Sequence, residues 1–124
     1  MKIFWMAIAG VAGTLLRYWF GGLVQRAYGG VFPWGTFAVN MAGCFLFGLV
    51  WSLAEDRVVI SGEARAIILI GFMGAFTTFS SYIFETSALI RDSQWLLAFG
   101  NIILQNATGV VLLFLGLVAG RALF

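Results

Sequence analysis

Long runs without a charged residue constrain this chain more than any other feature. Residues 34–54, 66–84 and 95–120 carry no Asp, Glu, Lys or Arg, and residues 3–25 carry only Arg17. Each run is close to the roughly 20 residues that a helix needs to cross a bilayer. Because every backbone polar group must be hydrogen-bonded inside lipid, such runs predict membrane-spanning helices.

The runs use most of the chain and leave room only for short connections. We therefore expect one all-α membrane domain over residues 1–124, with spans at about 3–25, 34–54, 65–89 and 95–120. Only 10% of the residues are charged, against about 25% in soluble domains. The first run is longer than the roughly 7–15 residues of a signal-peptide core and contains Arg17, so we expect a retained span.

Composition also excludes several kinds of function. The chain has no His and one Cys, which removes imidazole or thiolate metal cages and the Ser-His and Cys-His nucleophile pairs. Its seven basic residues are scattered singly, whereas nucleic-acid binding needs a basic cluster. The sequence predicts neither an enzyme nor a nucleic-acid-binding protein.

The third run contains an unusual polar segment at residues 71–85, GFMGAFTTFSSYIFE. Its glycines give the backbone freedom to leave helical geometry, and its paired threonines and paired serines offer hydroxyls to the groups that are then released. Non-helical backbone at membrane depth is tolerated only where it is buried in protein or lines a wet cavity. The segment predicts a broken third helix at an ion or solute site.

Two other runs carry polar residues on one helical face. Thr36 and Asn40 lie four apart in the second run, and the fourth run carries a stripe of Asn101, Gln105 and Thr108. Interhelical hydrogen bonds, worth about 0.6 kcal/mol on average in membranes, are the alternative reading. We apply that reading to Asn106, which lies off the stripe, and interpret the stripe as part of a wet pathway.

The available side chains restrict what such a pathway carries. Amide and hydroxyl groups donate hydrogen bonds to a small hard anion, and the edges of aromatic rings at Phe76, Phe79 and Tyr82 add weak attraction. Ordinary packing is the alternative for that aromatic row. Backbone carbonyls turned inward between Gly74 and Thr77 would instead suit a hard cation such as Na⁺. Both cargoes stay open on these residues alone.

The distribution of basic residues gives little indication of orientation. Four spans place both termini on one side of the membrane. That side carries Lys2, Arg57, Arg65 and Arg121, and the other carries Arg26 and Arg91, with Arg17 near its surface. Since the Lys/Arg bias sets topology, so weak a bias predicts insertion in both orientations and an antiparallel homodimer. A single orientation set by other factors is the alternative.

Three segments resemble one known family over essentially the whole chain. They are residues 10–18, ending in Arg-Tyr, residues 35–48, GTFAVNMAGCFLFG, and residues 71–81, GFMGAFTTFSS, with Glu85 following. The chain resembles the Fluc (CrcB-type) fluoride channels. That resemblance implies an antiparallel dual-topology homodimer with two fluoride pores and a structural Na⁺ on its two-fold axis.

The resemblance also implies roles for individual residues. The carbonyls of Gly74 and Thr77 would bind Na⁺, and Asn40 would donate to fluoride. The aromatic box would be formed by Phe79 and Tyr82. The remaining pathway residues would be Ser80 and Ser81 near the break, Thr36 and Glu85 beside the pore, and Arg17 at a vestibule.

This chain departs from the family pattern at three places. Tyr82 stands where Phe is usual and offers a hydroxyl, and Ser81 stands where Thr is usual. The fourth run matches least, so Asn101 and Gln105 rest on the stripe rather than on a motif.

The leading hypothesis is a passive fluoride channel in the bacterial inner membrane, surrounded by lipid. A small dual-topology multidrug exporter is the alternative. It is disfavoured because the carboxylate of Glu85 lies toward a span end, not near its middle. A membrane scaffold without transport is the third possibility, and the polar third run argues against it.

Overall fold

Four long helical spans make up the described part of the chain. The structure is a computed structural model and describes residues 1–55 and 60–123, so that Arg57 of the orientation count lies outside the described residues. The spans, each long and apolar enough to cross a membrane, are Lys2–Tyr28, Trp34–Glu55, Gly62–Arg91 and Trp95–Leu123. The predicted all-helical architecture with four long apolar spans and a bent third one is confirmed.

The third span consists of two halves. The proximal half runs through an α-helical turn, a π-helical stretch and a last α-helical turn, at Gly62–Ala66, Ile67–Met73 and Gly74–Phe76. Thr77 and Thr78 are then extended, with ψ angles of 159° and 114°. The distal half is the helix Phe79–Arg91.

The break lies at the two threonines and not at Gly74. Gly74 has helical angles, φ −60° and ψ −34°, so the conformational freedom of glycine that the sequence suggested is not used there. β-Branched residues such as Thr favour extended backbone. The other glycine of the segment, Gly71, allows a close approach, because a Cβ there would press on the Met6 carbonyl of the first helix.

Close glycine contacts also hold the remaining helices together. The second and fourth helices have the most extensive mutual contact. A Cβ on Gly48 would collide with the Leu113 carbonyl, and one on Gly116 with the Phe45 carbonyl. Small residues at such crossings let helix backbones pack directly, which is a main source of helix association in lipid. This packing fixes the second helix against the fourth.

Candidate functional site

Asn40 of the second helix holds the break open. Its Oδ1 accepts the Thr78 N–H at 2.8 Å, and its Nδ2 donates to the Thr78 carbonyl at 3.1 Å. The Asn40 Oδ1 thus replaces the Gly74 carbonyl, which would accept from the Thr78 N–H in a continuous helix. Gly43, one turn further along, leaves room for the Thr77 side chain, which a Cβ would displace. The second helix is therefore shaped to receive both extended threonines.

The break removes the helical donors of the carbonyls at the end of the proximal half, among them those of Gly74 and Thr77. In a continuous helix the Gly74 carbonyl would accept from the Thr78 N–H, and the Thr77 carbonyl from the Ser81 N–H. Here the Thr78 N–H goes to Asn40, and the Ser81 N–H goes to Thr78 Oγ1 at 3.2 Å. A carbonyl at membrane depth needs another partner.

Arg17 supplies such a partner to the neighbouring carbonyl, that of Ala75. Its Nε donates there at 2.9 Å. A cation at the C-terminal end of the proximal half is also favoured by the helix dipole.

Gln105 of the fourth helix extends the Asn40 network. Its Oε1 accepts from Asn40 Nδ2 at 3.2 Å. The backbone of Thr78 fixes which end of the Asn40 amide is nitrogen, and this contact in turn fixes the orientation of Gln105. Gln105 Nε2 consequently points away from Asn40. It is buried, and no group of the described residues accepts its hydrogen bonds.

A cavity of about 430 Å³ lies beside this network. We call it the central cavity. It is lined by Asn40, Thr77, Thr78, Phe79, Tyr82 and Gln105, among others. The rings of Phe79 and Tyr82 are 5.7 Å apart and meet edge to face at 69°. Phe79 is 74% exposed on the protomer surface, whereas Tyr82 is buried.

A second cavity, of about 350 Å³, is lined by the two charged residues that were predicted for the pathway, Arg17 and Glu85. We call it the Glu85 cavity. Its polar lining includes Arg17, Thr36, Ser81 and Glu85. Thr36 and Glu85 line this cavity together, and Glu85 Oε1 is buried without a partner in the described part of the chain. Thr78 lines both cavities, so the break lies between them.

Three predicted residues lie outside both cavities. Ser80 is exposed, and Thr108 is half-buried on the fourth helix. Asn101 is buried, and its Nδ2 donates to Thr86 Oγ1 at 2.9 Å, which ties the fourth helix to the distal half. Of the polar stripe, only Gln105 reaches the central cavity.

Asn106 lines the central cavity, although the sequence predicted for it only an interhelical hydrogen bond. Asn106 does form the expected interhelical hydrogen bond, from its Nδ2 to the Tyr82 hydroxyl at 3.1 Å, but it also lines the cavity. Its position beside Gln105 carries no periodicity signal. Only the presence of a hydroxyl at Tyr82 could have indicated the pairing.

Polar side chains gathered at a broken membrane helix are typical of channels and transporters. In those proteins irregular backbone borders an ion or solute site. The model of the family described as CrcB-like protein, Camphor Resistance (CrcB), matches residues 4–117. The chain belongs to this family.

Curated relatives agree over nearly the full length. A protein of Nitrosococcus oceani named fluoride-specific ion channel FluC is 58% identical over 93% of this chain and 92% of its own. Proteins of the same name from Solidesulfovibrio magneticus and Desulforapulum autotrophicum are 52% and 48% identical, each over 97% of this chain and 96% of its own.

Proposed function

We propose that this protein is a fluoride channel that lets fluoride leave the cytoplasm passively. The observation that carries the proposal is the buried Gln105 Nε2, a hydrogen-bond donor without an acceptor, beside Asn40 and the broken helix. A buried donor left unpaired costs about 1–3 kcal/mol. A small anion in the central cavity supplies the missing acceptor. The names of the relatives support fluoride as that anion.

The lining of the central cavity suits rapid passage of such an ion. It offers amide and hydroxyl groups with aromatic edges, and none of its described lining residues is charged. Conduction requires binding that is favourable enough for entry and weak enough for release. Neutral hydrogen-bond donors bind an anion and still release it, whereas a buried Lys or Arg would hold it more strongly. Arg17 and Glu85 lie in the neighbouring cavity, where they act on the approach.

Passive export needs no coupling residue. Hydrogen fluoride crosses bilayers uncharged and dissociates inside, which traps fluoride. In a bacterial inner membrane the negative interior then drives the ion outward through an open pathway, at about 2.3 kcal/mol per charge per 100 mV. This reaction is transport and not enzymatic conversion.

The functional unit that we propose is an antiparallel homodimer. The central cavity and the exposed Phe79 lie at the surface of the protomer. Polar groups at that depth are costly against lipid. A second copy inserted in the opposite orientation covers them, in agreement with the weak charge bias. The outlying Ser80, Asn101 and Thr108 remain predictions for the path through that dimer.

The break also fits the structural Na⁺ that the family resemblance implies. The carbonyls of Gly74 and Thr77 have lost their helical donors, and hard oxygen dipoles are the ligands that small monovalent cations take in membrane proteins. Two copies of the chain would supply four such oxygens. When bound, the ion satisfies these carbonyls electrostatically, and its role is structural.

Fluoride efflux from liposomes that contain the purified protein tests the proposal. We expect rapid fluoride efflux driven by an imposed potential, with chloride retained. Efflux that instead requires a proton gradient, or that carries a cationic dye, would indicate a coupled exporter. The absence of any flux would favour the third possibility, a membrane scaffold without transport.

Two substitutions at Gln105 test the observation itself. Gln105→Glu keeps the oxygen that Asn40 needs and removes the donor, and Gln105→Leu removes the donor without adding charge. We expect both to reduce flux at least tenfold. Gln94→Leu, at an exposed position outside both cavities, is the control and should retain flux. If both Gln105 variants conduct like the unmodified protein, the Gln105 amide is not a ligand of the anion.

A further inference from the structure

Tyr82 brings a hydroxyl into the central cavity. The residue is 7% exposed and lies on the distal half of the third span, with its ring edge to face with that of Phe79. The hydroxyl meets the amide nitrogen of Asn106 at 3.1 Å. A phenol oxygen both donates and accepts hydrogen bonds, whereas an amide nitrogen only donates. The direction of this contact therefore decides where the Tyr82 proton points.

A backbone carbonyl fixes the orientation of the Asn106 amide. Asn106 Nδ2 donates to the Ile102 carbonyl at 2.8 Å. A flipped amide would place two acceptors against each other there, so the nitrogen must lie on this side. Its second N–H is then directed at Tyr82, whose oxygen accepts. The Tyr82 proton is left to donate elsewhere, and no described residue accepts it.

We propose that the Tyr82 hydroxyl is a specificity-determining donor to the transported anion, aligned by Asn106. Both residues line the central cavity together with Gln105. A hydroxyl that already accepts a hydrogen bond is a stronger donor, because linked hydrogen bonds polarise one another. The small, strongly accepting fluoride ion gains more from such a donor than larger halides do. This inference rests on the proposed function.

Tyr82→Phe tests the inference with little structural change, because the ring and its contact with Phe79 remain. In proteoliposome and bilayer measurements we expect fluoride flux to persist. The fluoride concentration at half-saturation should rise about tenfold, equivalent to about 1.4 kcal/mol. Tyr28→Phe, at an exposed position at the end of the first helix, is the matched control and should change nothing.

Asn106→Leu tests the alignment. The hydroxyl remains but is no longer oriented, so we expect a smaller rise than for Tyr82→Phe and no further rise when the two are combined. Additive effects would show that Asn106 acts independently. A signal apart from transport comes from the NMR resonances of the three tyrosine Cζ atoms. Fluoride, but not chloride, should shift the one that Tyr82→Phe removes.

Two results would overturn the inference. One is an unchanged half-saturation concentration in Tyr82→Phe. The other is dissociation of the Tyr82→Phe dimer in size-exclusion chromatography, which would place the acceptor on the second copy. If the unmodified protein shows no fluoride flux at all, the proposed function fails first, and the Tyr82 resonance then reports only whether the anion binds.

Discussion

At the residue scale, Asn40 makes hydrogen bonds that its motif does not indicate. The resemblance makes it a donor to fluoride. In the structure its Nδ2 donates to the Thr78 carbonyl and to Gln105 Oε1, and its Oδ1 accepts from Thr78. Both N–H groups are therefore engaged within the protomer. Asn40 positions the break and orients Gln105, and the free donor of the network is Gln105 Nε2.

The first prediction concerns Asn40→Asp. The carboxylate would face the Thr78 carbonyl and Gln105 Oε1, so two hydrogen bonds become repulsive contacts. We expect fluoride efflux to fall to background. The melting temperature should also decrease, since each buried polar group left unpaired costs about 1–3 kcal/mol.

The matched variant for this prediction is Asn101→Asp, at a buried amide that contacts Thr86 outside both cavities. It should also lower the melting temperature, and its efflux per folded dimer tests whether Asn101 belongs to the pathway. Background efflux in Asn101→Asp would support the pathway that the polar stripe predicted, and retained efflux would leave Asn101 with its contact to Thr86 alone. Unimpaired efflux in Asn40→Asp would remove Asn40 from it.

At the element scale, the third span acts as two helices joined by extended threonines. Thr78 caps the distal half, because its Oγ1 accepts from the Ser81 N–H and donates to the Ser81 hydroxyl at 2.9 Å. Arg17 compensates the end of the proximal half at the Ala75 carbonyl. Each half thus has its own terminal interactions, which makes the break a stable feature of the fold.

The second prediction follows from the Thr78 cap. Thr78→Val keeps the shape of the side chain and removes its hydroxyl, which should lower the free energy of unfolding by about 1 kcal/mol. Thr78→Ser keeps the cap, so its free energy of unfolding should stay within a few tenths of a kcal/mol of that of the unmodified protein. Thermal unfolding in detergent compares the two. Equal melting temperatures for the Val and Ser variants would show that the cap contributes nothing.

The sequence was informative at this scale where lipid imposes strict rules. Charge-free runs predicted the four long spans, and paired threonines and serines predicted a bent third one, because unpaired backbone polar groups are costly in a membrane. The π-helical stretch Ile67–Met73 was not predicted, since an apolar run has no local signature for the extra residue per turn. Gly74 itself keeps helical angles, because glycine permits a break without requiring one.

The candidate site was predictable only in its parts. Spacing indicated the faces of Asn40 and Gln105, and the structure adds that Thr78 and Asn40 exchange both of their hydrogen-bonding groups. Which residues of a helical stripe face a cavity depends on how neighbouring helices cross, and that crossing is set by glycine contacts such as Gly48 with Leu113.

At the scale of the whole molecule, the third prediction concerns orientation. Exposed positions near opposite ends of the third span allow matched pairs of added charges, Gly62→Lys with Glu63→Lys and Asp92→Lys with Gln94→Lys. Each pair should fix the chain in one orientation, because Lys and Arg are retained on the cytoplasmic side. An antiparallel dimer then cannot form from one variant alone.

Fluoride accumulation in cells that express one variant or both measures the effect. We expect each variant alone to be inactive and the two together to restore export. Full activity of a single variant would contradict the antiparallel assembly. Inactivity of the combination, with both proteins present in the membrane, would mean that the added charges damage the protomer itself.

The last prediction concerns Gly74, where the protomer and the proposed dimer make different demands. Gly74 is exposed and helical, and the nearest atom to an added Cβ is the Leu69 carbonyl oxygen at 3.9 Å. Gly74→Val should therefore leave the protomer folded. In the dimer its carbonyl would lie at the two-fold axis, where a branched side chain keeps the second copy away. Gly100→Val, with no atom near the added Cβ, is the control.

We expect Gly74→Val, but not Gly100→Val, to elute as a monomer in size-exclusion chromatography and to lose fluoride flux. Replacement of Na⁺ by N-methylglucamine should lower the melting temperature of the unmodified protein, because a ligand bound only by the native state stabilises it. The Gly74→Val variant should show no such dependence. A dimeric Gly74→Val would remove Gly74 from the interface. A melting temperature of the unmodified protein that is indifferent to Na⁺ would remove the ion from the break, and the Gly74 and Thr77 carbonyls would then need another partner in the assembled channel.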